Sequence, residues 1–146
     1  MSAPAPSANH ALIRRFYAEL WDQWDRSVAY EILTEDFLFR GSLGADRRGI
    51  DGFLDYVDGV RTVLGDYRSD IGEMVEEPDR IAVRMTFSGD HQAEFFGVPA
   101  TGRRVSWQGA AFFSFRDERI SALWVLGDID GVKQQLGLGS AAFEGS

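Results

Sequence analysis

The sequence has 146 residues, of which 45% are hydrophobic and 13% aromatic, so it can build one domain with a sizeable core and is not disordered. A formal net charge of −8 argues against nucleic-acid binding, because such a surface repels phosphate groups. There is no cysteine, which excludes disulfides, thiolate nucleophiles and cysteine metal sites and suits a reducing compartment.

The two ends of the chain are rich in small residues. We expect residues 1–8 and 138–146 to be flexible tails on a single domain of residues 9–137. The opening MSAPAPSANH lacks the basic and apolar regions of a secretory signal, and no run approaches the roughly 20 apolar residues of a membrane span. We therefore expect a cytoplasmic protein that does not bind membranes.

Three segments have the apolar spacing of helices. The clearest covers residues 11–24, where one face collects Ile13, Phe16, Tyr17, Leu20, Trp21 and Trp24. A short helix is predicted over residues 27–33, with Ser27 available as its cap, and a third over residues 49–64. The stretch DFLFRG, between the second and third helices, is predicted to be a short strand.

After the third helix the pattern changes to the two-residue period of strands. Strands are predicted over residues 67–77, 80–95, 104–115 and 119–128, and the second of these has a nearly unbroken apolar face. Helices followed by long consecutive strands indicate an α+β domain. We expect a curved antiparallel sheet wrapped over the first and third helices, forming a cone with an open mouth where a ligand could bind.

Alternation along the strands predicts which side chains face inward. His91 shares the apolar face of its strand, so it is expected in the core or the cavity. On the last strand one face, taken as the inner one, carries Ile120, Ala122, Trp124, Leu126 and Asp128. The other face is also apolar, and so is Phe112 on the preceding strand. This favours a homodimer or homotetramer through the sheet, unless loops and tails of the chain cover it.

Asp128 ends an apolar run, and its position has two readings. An aspartate at the end of a strand often caps the next helix. Here Asp130 is better placed as that cap, which leaves Asp128 on the strand beside Trp124 and Leu126. A carboxyl group sheltered among apolar side chains has a raised pKa, as a general acid or base near neutral pH needs. The pattern alone leaves function and capping about equal.

Three stretches together resemble the SnoaL-like polyketide cyclases, also called predicted ester cyclases, of the NTF2-like group: RRFYAELW, SGDHQAEFFGVPATGRRV and ISALWVLGDIDGVKQQLG. The resemblance covers roughly residues 11–137. It implies a cone-shaped α+β barrel, a dimer or tetramer, and intramolecular aldol condensation of a polyketide ester without metal or cofactor. The family's catalytic acid/base matches Asp128, and its recurrent histidine matches His91.

The other candidate site residues have competing interpretations. His91 could hydrogen-bond Asp128, donate to a substrate oxygen, or be a satisfied core histidine. Arg40 stands where relatives have a histidine; pointing inward it could hold a carboxylate or carbonyl oxygen, and pointing outward it is a solvated arginine. Tyr17, Trp107 and Trp124 are candidates for substrate contact in the cavity wall, or else core packing.

Three functions follow from these features. The leading hypothesis is a small cofactor-free enzyme that cyclises a hydrophobic polyketide-like or ester substrate, with Asp128 as acid/base. A second is hydrolysis of an epoxide in the same cone, which would need another inward acid paired with an arginine. The third is a non-catalytic protein that binds a hydrophobic small molecule or only dimerises.

Overall fold

The computed structural model describes residues 7–42 and 45–139, so most of both predicted tails lies outside the described residues. The helices are α1 (Ala8–Arg15), a π-helical segment that continues it (Phe16–Asp22), α2 (Ser27–Ile32), α3 (Gly49–Val63) and α4 (Ile129–Gln135). The strands are β1 (Leu33–Arg40), β2 (Asp46–Arg48), β3 (Leu64–Glu77), β4 (Arg80–His91), β5 (Arg104–Arg116) and β6 (Arg119–Gly127). No helix in the described ranges is long and apolar enough to cross a membrane.

The six strands form one curved, open sheet in the order β2-β1-β6-β5-β4-β3. Neighbouring strands run antiparallel, as predicted, with one exception: β1 runs parallel to β6. The sheet is therefore mixed. A parallel pair needs a long crossover, and here α3 and the three strands β3 to β5 lie between the partners in sequence. The α+β class and the cone wrapped over helices are confirmed.

The first helix differs from the single α-helix predicted over residues 11–24. It begins at Ala8, where the Ser7 hydroxyl accepts a hydrogen bond of 3.1 Å from the His10 amide, and it widens into a π-helix at Phe16. A π-helix bonds each amide to the fifth preceding carbonyl, as Gln23 does with Ala18 at 3.2 Å. Residues five apart therefore lie on nearly the same face, which brings Asp22 round toward the side of Tyr17.

The core lies between the helices and the concave face of the sheet. Phe16 is fully buried at its centre, with its ring 5.7 Å from that of Phe53 on α3 and 5.4 Å from that of Phe113 on β5. Truncating such a ring to alanine costs about 3–5 kcal/mol. The inward face predicted for β4 is confirmed, since its odd-numbered residues from Ile81 to His91 are all buried.

The predicted orientation of the last strand is wrong, because β6 contains a bulge. Its register against β5 shifts between the pairs Phe115–Ile120 and Ser114–Ala122, so one extra residue is inserted near Ser121. A slip of one residue exchanges the two faces of a strand. Beyond the bulge the buried residues are Leu123 and Val125, and the outward ones are Ala122, Trp124 and Leu126.

The convex side of the sheet exposes apolar side chains on three adjacent strands. We call this surface the outer patch; its large members are Leu38, Phe112, Trp124 and Leu126. Phe112 and Trp124 are register partners with ring centroids 5.6 Å apart, and Arg40 places its guanidinium 5.3 Å from the centre of the Trp124 ring. The apolar outer face expected from the sequence is therefore present, although different residues of β6 form it.

Candidate functional site

A cavity opens between the first helix, α3 and the concave face of the sheet. It contains about 530 Å³ of space between atoms, part of it open to solvent. The wall is mainly aromatic and aliphatic: Phe16, Tyr17, Trp21, Phe39, Ser42, Tyr56, Val60, Leu64, Tyr67, Phe87, Phe95, Trp107, Leu123, Val125 and Ile129. Such a wall favours a flat, hydrophobic ligand over a charged one.

Two hydrogen-bond donors in this wall have no protein partner. The Tyr17 hydroxyl, from the π-helical segment, and the Trp107 indole N–H, from β5, are buried and unpaired within the described part of the chain. Phe87 lies between them, with its ring centroid 6.3 Å from Tyr17 and 5.6 Å from Trp107. Buried polar groups are nearly always paired, so these two donors are available to a ligand or a water molecule that accepts hydrogen bonds.

The three cavity tyrosines keep their protons at neutral pH. Burial raises the pKa of Tyr17 and of Tyr67 well above the ordinary value, and it raises the pKa of Tyr56 to about 12. Ionisation of Tyr17 or Tyr56 would raise the pKa of Tyr67 further. All three can therefore act as neutral donors or acceptors toward a ligand.

Asp128 is not sheltered as the sequence suggested. Its side chain is exposed, and its Oδ1 accepts a hydrogen bond of 3.0 Å from the Gly131 amide, so Asp128 itself is the N-cap of α4. Asp130, the expected cap, lies in the first turn of α4 and accepts a hydrogen bond of 2.8 Å from the Gln134 side chain. The physical reason is the bulge in β6, which directs every second residue after Ala122 outward.

Asp128 nevertheless stands at the edge of the cavity. Its neighbour Ile129 lines the cavity, and Gly127 passes so close to the wall that a Cβ there would lie 2.9 Å from Ser42 Oγ and 3.2 Å from Trp107 Cδ1. A larger residue at position 127 would have to displace the Ser42 side chain. The acid/base role that the resemblance gives to Asp128 stays a prediction.

His91 is fully buried and holds the loop that follows β4. Its Nδ1 accepts a hydrogen bond of 3.2 Å from the Thr101 amide and lies 2.9 Å from Thr101 Oγ1, while its Nε2 has no partner among the described residues. An accepting Nδ1 places the ring proton on Nε2. His91 does not line the cavity, and no hydrogen bond joins it to Asp128, although both lie in the described part.

Two residues near the end of the stretch SGDHQAEFFGVPATGRRV make this contact: Thr101 bonds to the buried histidine ring, and the Gly102 amide donates to the His91 carbonyl at 2.9 Å. The loop so anchored brings Phe95 to the cavity wall.

Arg40 and Trp124 do not line the cavity. Arg40 points outward from β1, stacks on Trp124 and donates to the Val125 carbonyl at 3.4 Å. Trp124 is 42% exposed in the outer patch. The orientation of Arg40 follows from strand alternation, since the inward residues of β1 are Phe37 and Phe39. The orientation of Trp124 follows from the bulge in β6. Of the four predicted substrate contacts, Tyr17 and Trp107 both line the cavity. Arg40 and Trp124 contact each other on the convex side of the sheet.

Two tyrosines of the cavity wall and one half-buried acid, Asp22, escaped the sequence reasoning. Tyr56 lies among the apolar positions of α3, and Tyr67 lies on the inner face of β3, two residues before the buried Ser69. Each could have been found as a hydroxyl-bearing residue on an inward face. Asp22 had no such signal, because an ordinary α-helix would place it on the solvent side.

Comparison with known proteins points to a single family. The family model for SnoaL-like polyketide cyclases matches residues 11–136. No curated protein sequence matches the chain significantly.

Solved structures share the fold over nearly the whole chain. TsrD from Streptomyces laurentii is 27% identical, with 92% of this chain and 98% of that chain covered and a TM-score of 0.79. AclR from Streptomyces galilaeus, described as a candidate hydroxylase, is 25% identical, with 89% and 85% covered and a TM-score of 0.77. A candidate SnoaL-like polyketide cyclase from Jannaschia sp. CCS1 is 19% identical, with 96% and 99% covered and a TM-score of 0.82. The expected NTF2-like fold is confirmed.

Proposed function

Because the chain belongs to the SnoaL-like polyketide cyclase family, we propose that it is a cofactor-free enzyme that closes a ring in a hydrophobic polyketide-like or ester substrate. The observation that supports this function best is the pair of unpaired donors, Tyr17 and Trp107, in an aromatic cavity. Ring closure of the aldol type needs such donors, because negative charge develops on a carbonyl oxygen when the neighbouring carbon loses its proton.

The cavity would contribute in two ways. Its aromatic wall holds a flexible substrate in a folded conformer, which brings the enolate carbon to the carbonyl that it attacks. Hydrogen bonds from Tyr17 and Trp107 to the enolate oxygen are stronger in this apolar setting than in water.

Proton removal in this proposal is assigned to Asp128 at the edge of the cavity. Its Oδ1 is used by the cap, so Oδ2 would accept the substrate proton. An exposed carboxylate is a weak base, and the substrate would have to cover Asp128 on binding to strengthen it.

The test is proton exchange and cyclisation with a set of aromatic β-keto esters in deuterated water. We expect the protein to speed deuterium uptake at the carbon between the carbonyls and to yield a cyclised product, both measured by mass spectrometry. Tyr17→Phe and Trp107→Phe should each slow uptake about tenfold or more. Failure of every ester, with hydration of an epoxide instead, would favour the hydrolase; binding without turnover would favour a non-catalytic protein.

We also propose that the protein forms a homodimer through the outer patch. Pairs of register partners line up apolar side chains across the sheet, Phe112 with Trp124 and Ala110 with Leu126. A second copy related by a two-fold axis presents the same patch, so the apolar side chains of one protomer would pack against those of the other.

A further inference from the structure

The loop between β4 and β5 carries a small hairpin at its centre. Phe95 and Val98 exchange two backbone hydrogen bonds, of 3.0 Å and 2.9 Å, across the turn residues Phe96 and Gly97. Both turn residues have a positive φ, 50° for Phe96 and 79° for Gly97, as in a type I′ turn. We call residues 95–98 the tip. Because its backbone hydrogen bonds close within it, the tip can move as one unit.

The base of the same loop is fixed, but the segments that join the base to the tip are not. At the base, the Gln92 amide donates to the Val63 carbonyl at 3.0 Å, and Thr101 is bonded to the buried His91 ring. Residues 93–94 and 99–100 make no backbone hydrogen bond within the described part of the chain, and three of these four residues are exposed. Short segments of this kind can absorb the rotation of a hinge.

The tip and α4 meet at the edge of the cavity. The Phe95 ring lines the cavity, and the Phe96 ring lies 4.4 Å from it, centroid to centroid. On the other side, Ile129 lines the cavity at the start of α4. One turn later on this helix, the ammonium nitrogen of Lys133 lies 5.2 Å from the centre of the Phe96 ring. A cation–aromatic contact therefore joins the two elements.

Both partners of this contact are unusual. Lys133 is the only lysine in the sequence, and it forms no salt bridge among the described residues. Phe96 holds a left-handed backbone conformation that is costly for a bulky side chain and persists only where surrounding contacts support it. The Phe95 ring and the Lys133 ammonium group supply such contacts. The strained residue of the tip is thus the one that reaches α4.

We propose that residues 93–100 are a hinged lid on the cavity, and that the contact of Lys133 with Phe96 is the latch that holds the lid closed. The inference rests on the proposed function only in taking this cavity as the ligand site. In the closed lid the Phe95 ring completes the cavity wall. When the latch breaks, the tip swings away from α4 and the ligand passes between them. Closure then shields the bound ligand from water.

The latch acts on the passage of the ligand and not on its affinity. Lys133 does not line the cavity, so it stabilises the closed lid equally with and without a ligand. Because the ligand enters and leaves only through the open state, loss of the latch raises the association and dissociation rate constants by the same factor. One exposed cation–aromatic contact corresponds to a factor of about two to five. The dissociation constant should stay the same.

The first test measures lid opening without a ligand. The sequence has no cysteine, so Val125→Cys introduces a single thiol in the buried part of the cavity wall. Added to this variant, Lys133→Met should speed the reaction of the thiol with neutral dithiodipyridine about two- to fivefold, because methionine lacks the charge. Lys133→Arg keeps the cation, and Arg80→Met removes an exposed charge at the far end of β4, so both should react at the parent rate. Equal rates in all four proteins would overturn the latch.

The second test follows acetylnaphthalene, a neutral aromatic ketone that accepts hydrogen bonds, by stopped-flow fluorescence. Lys133→Met should raise both rate constants about two- to fivefold and leave the dissociation constant unchanged. Phe96→Leu should do the same, and the double variant should add nothing further, because both changes remove one contact. Lys133→Arg and Arg80→Met should behave as the wild type. A change in only one rate constant would make Lys133 a residue that affects binding itself and would refute the lid.

The two proposals fail separately. If neither acetylnaphthalene nor any ester binds, the proposed aromatic-ligand function fails, and the labelling of the thiol at position 125 still decides the lid. If the esters are cyclised by a protein in which Lys133→Met changes neither the labelling nor the two rate constants, the lid is wrong and the proposed function stands.

Discussion

Asp128 and Gly131 are joined by a hydrogen bond of 3.0 Å in which the Gly131 amide donates to Oδ1, and a Cβ on Gly131 would lie 2.5 Å from Oδ2 of the same carboxylate. The cap and the candidate base are therefore one side chain. Any test of its chemistry has to separate it from its structural role.

Asparagine at position 128 makes that separation. Asn caps helices about as well as Asp, so Asp128→Asn should leave the free energy of unfolding nearly unchanged, while Asp128→Ala should lower it by about 1 kcal/mol. Chemical denaturation measures both. If Asp128 is the base, Asp128→Asn should lose most of the ester cyclisation; an unchanged rate in a stable variant would remove Asp128 from the mechanism.

Removal of the Tyr17 hydroxyl should stabilise the protein and weaken its ligand binding. The hydroxyl is buried without a partner in the described structure, so Tyr17→Phe should raise the free energy of unfolding by about 1 kcal/mol. The same change removes a donor from the cavity and should reduce affinity for acetylnaphthalene. Thermal unfolding and fluorescence titration give the two numbers, and a loss of stability would indicate a hidden partner for the hydroxyl.

Asp22 should make stability fall as the pH rises. Its folded pKa of about 6 lies above the ordinary value of 3.8, so between these values the folded chain holds a proton that the unfolded chain has released. The stabilisation that Asp22 contributes is fully present below its ordinary pKa, and it is lost as the pH rises through its folded pKa. Asp22→Asn should match the wild type near pH 4 and gain roughly 1 kcal/mol on it by pH 7, after allowance for solvent screening of the half-exposed group. Urea unfolding at both pH values is the measurement, with Glu73→Gln as the control.

Charge in the outer patch should separate the dimer. Trp124→Glu places a carboxylate opposite its symmetry-related surface, and light scattering after size exclusion should show a monomer where the wild type is a dimer at micromolar concentration. Val75→Glu is the matched control, because Val75 is 61% exposed on β3, outside the patch. A monomeric wild type would contradict the proposed interface.

Much of the fold could be predicted because its signals are local. The alternation in β4 gave the burial of His91 and its neighbours correctly, and the apolar stripe of α3 identified a buried helix. Tyr17 and Trp107 were candidates for the cavity wall or for core packing, because apolar spacing placed them on inward faces, and both line the cavity.

The errors come from two departures from regular periodicity. The bulge in β6 turned Trp124 outward, and it left Asp128 to cap α4 in place of Asp130. The π-helical turn brought Asp22 toward the sheet. Neither departure changes the order of residue types, and each depends on how separate elements fit together, so pattern alone could not locate them.

The bulge near Ser121 also has an evolutionary consequence. After the bulge, the residues of β6 alternate: one lines the ligand cavity and the next faces the proposed second copy of the chain. Deletion of a single residue there would turn the cavity-facing residues outward and the outward residues toward the cavity along the rest of the strand. Insertions and deletions at this point should therefore be under purifying selection.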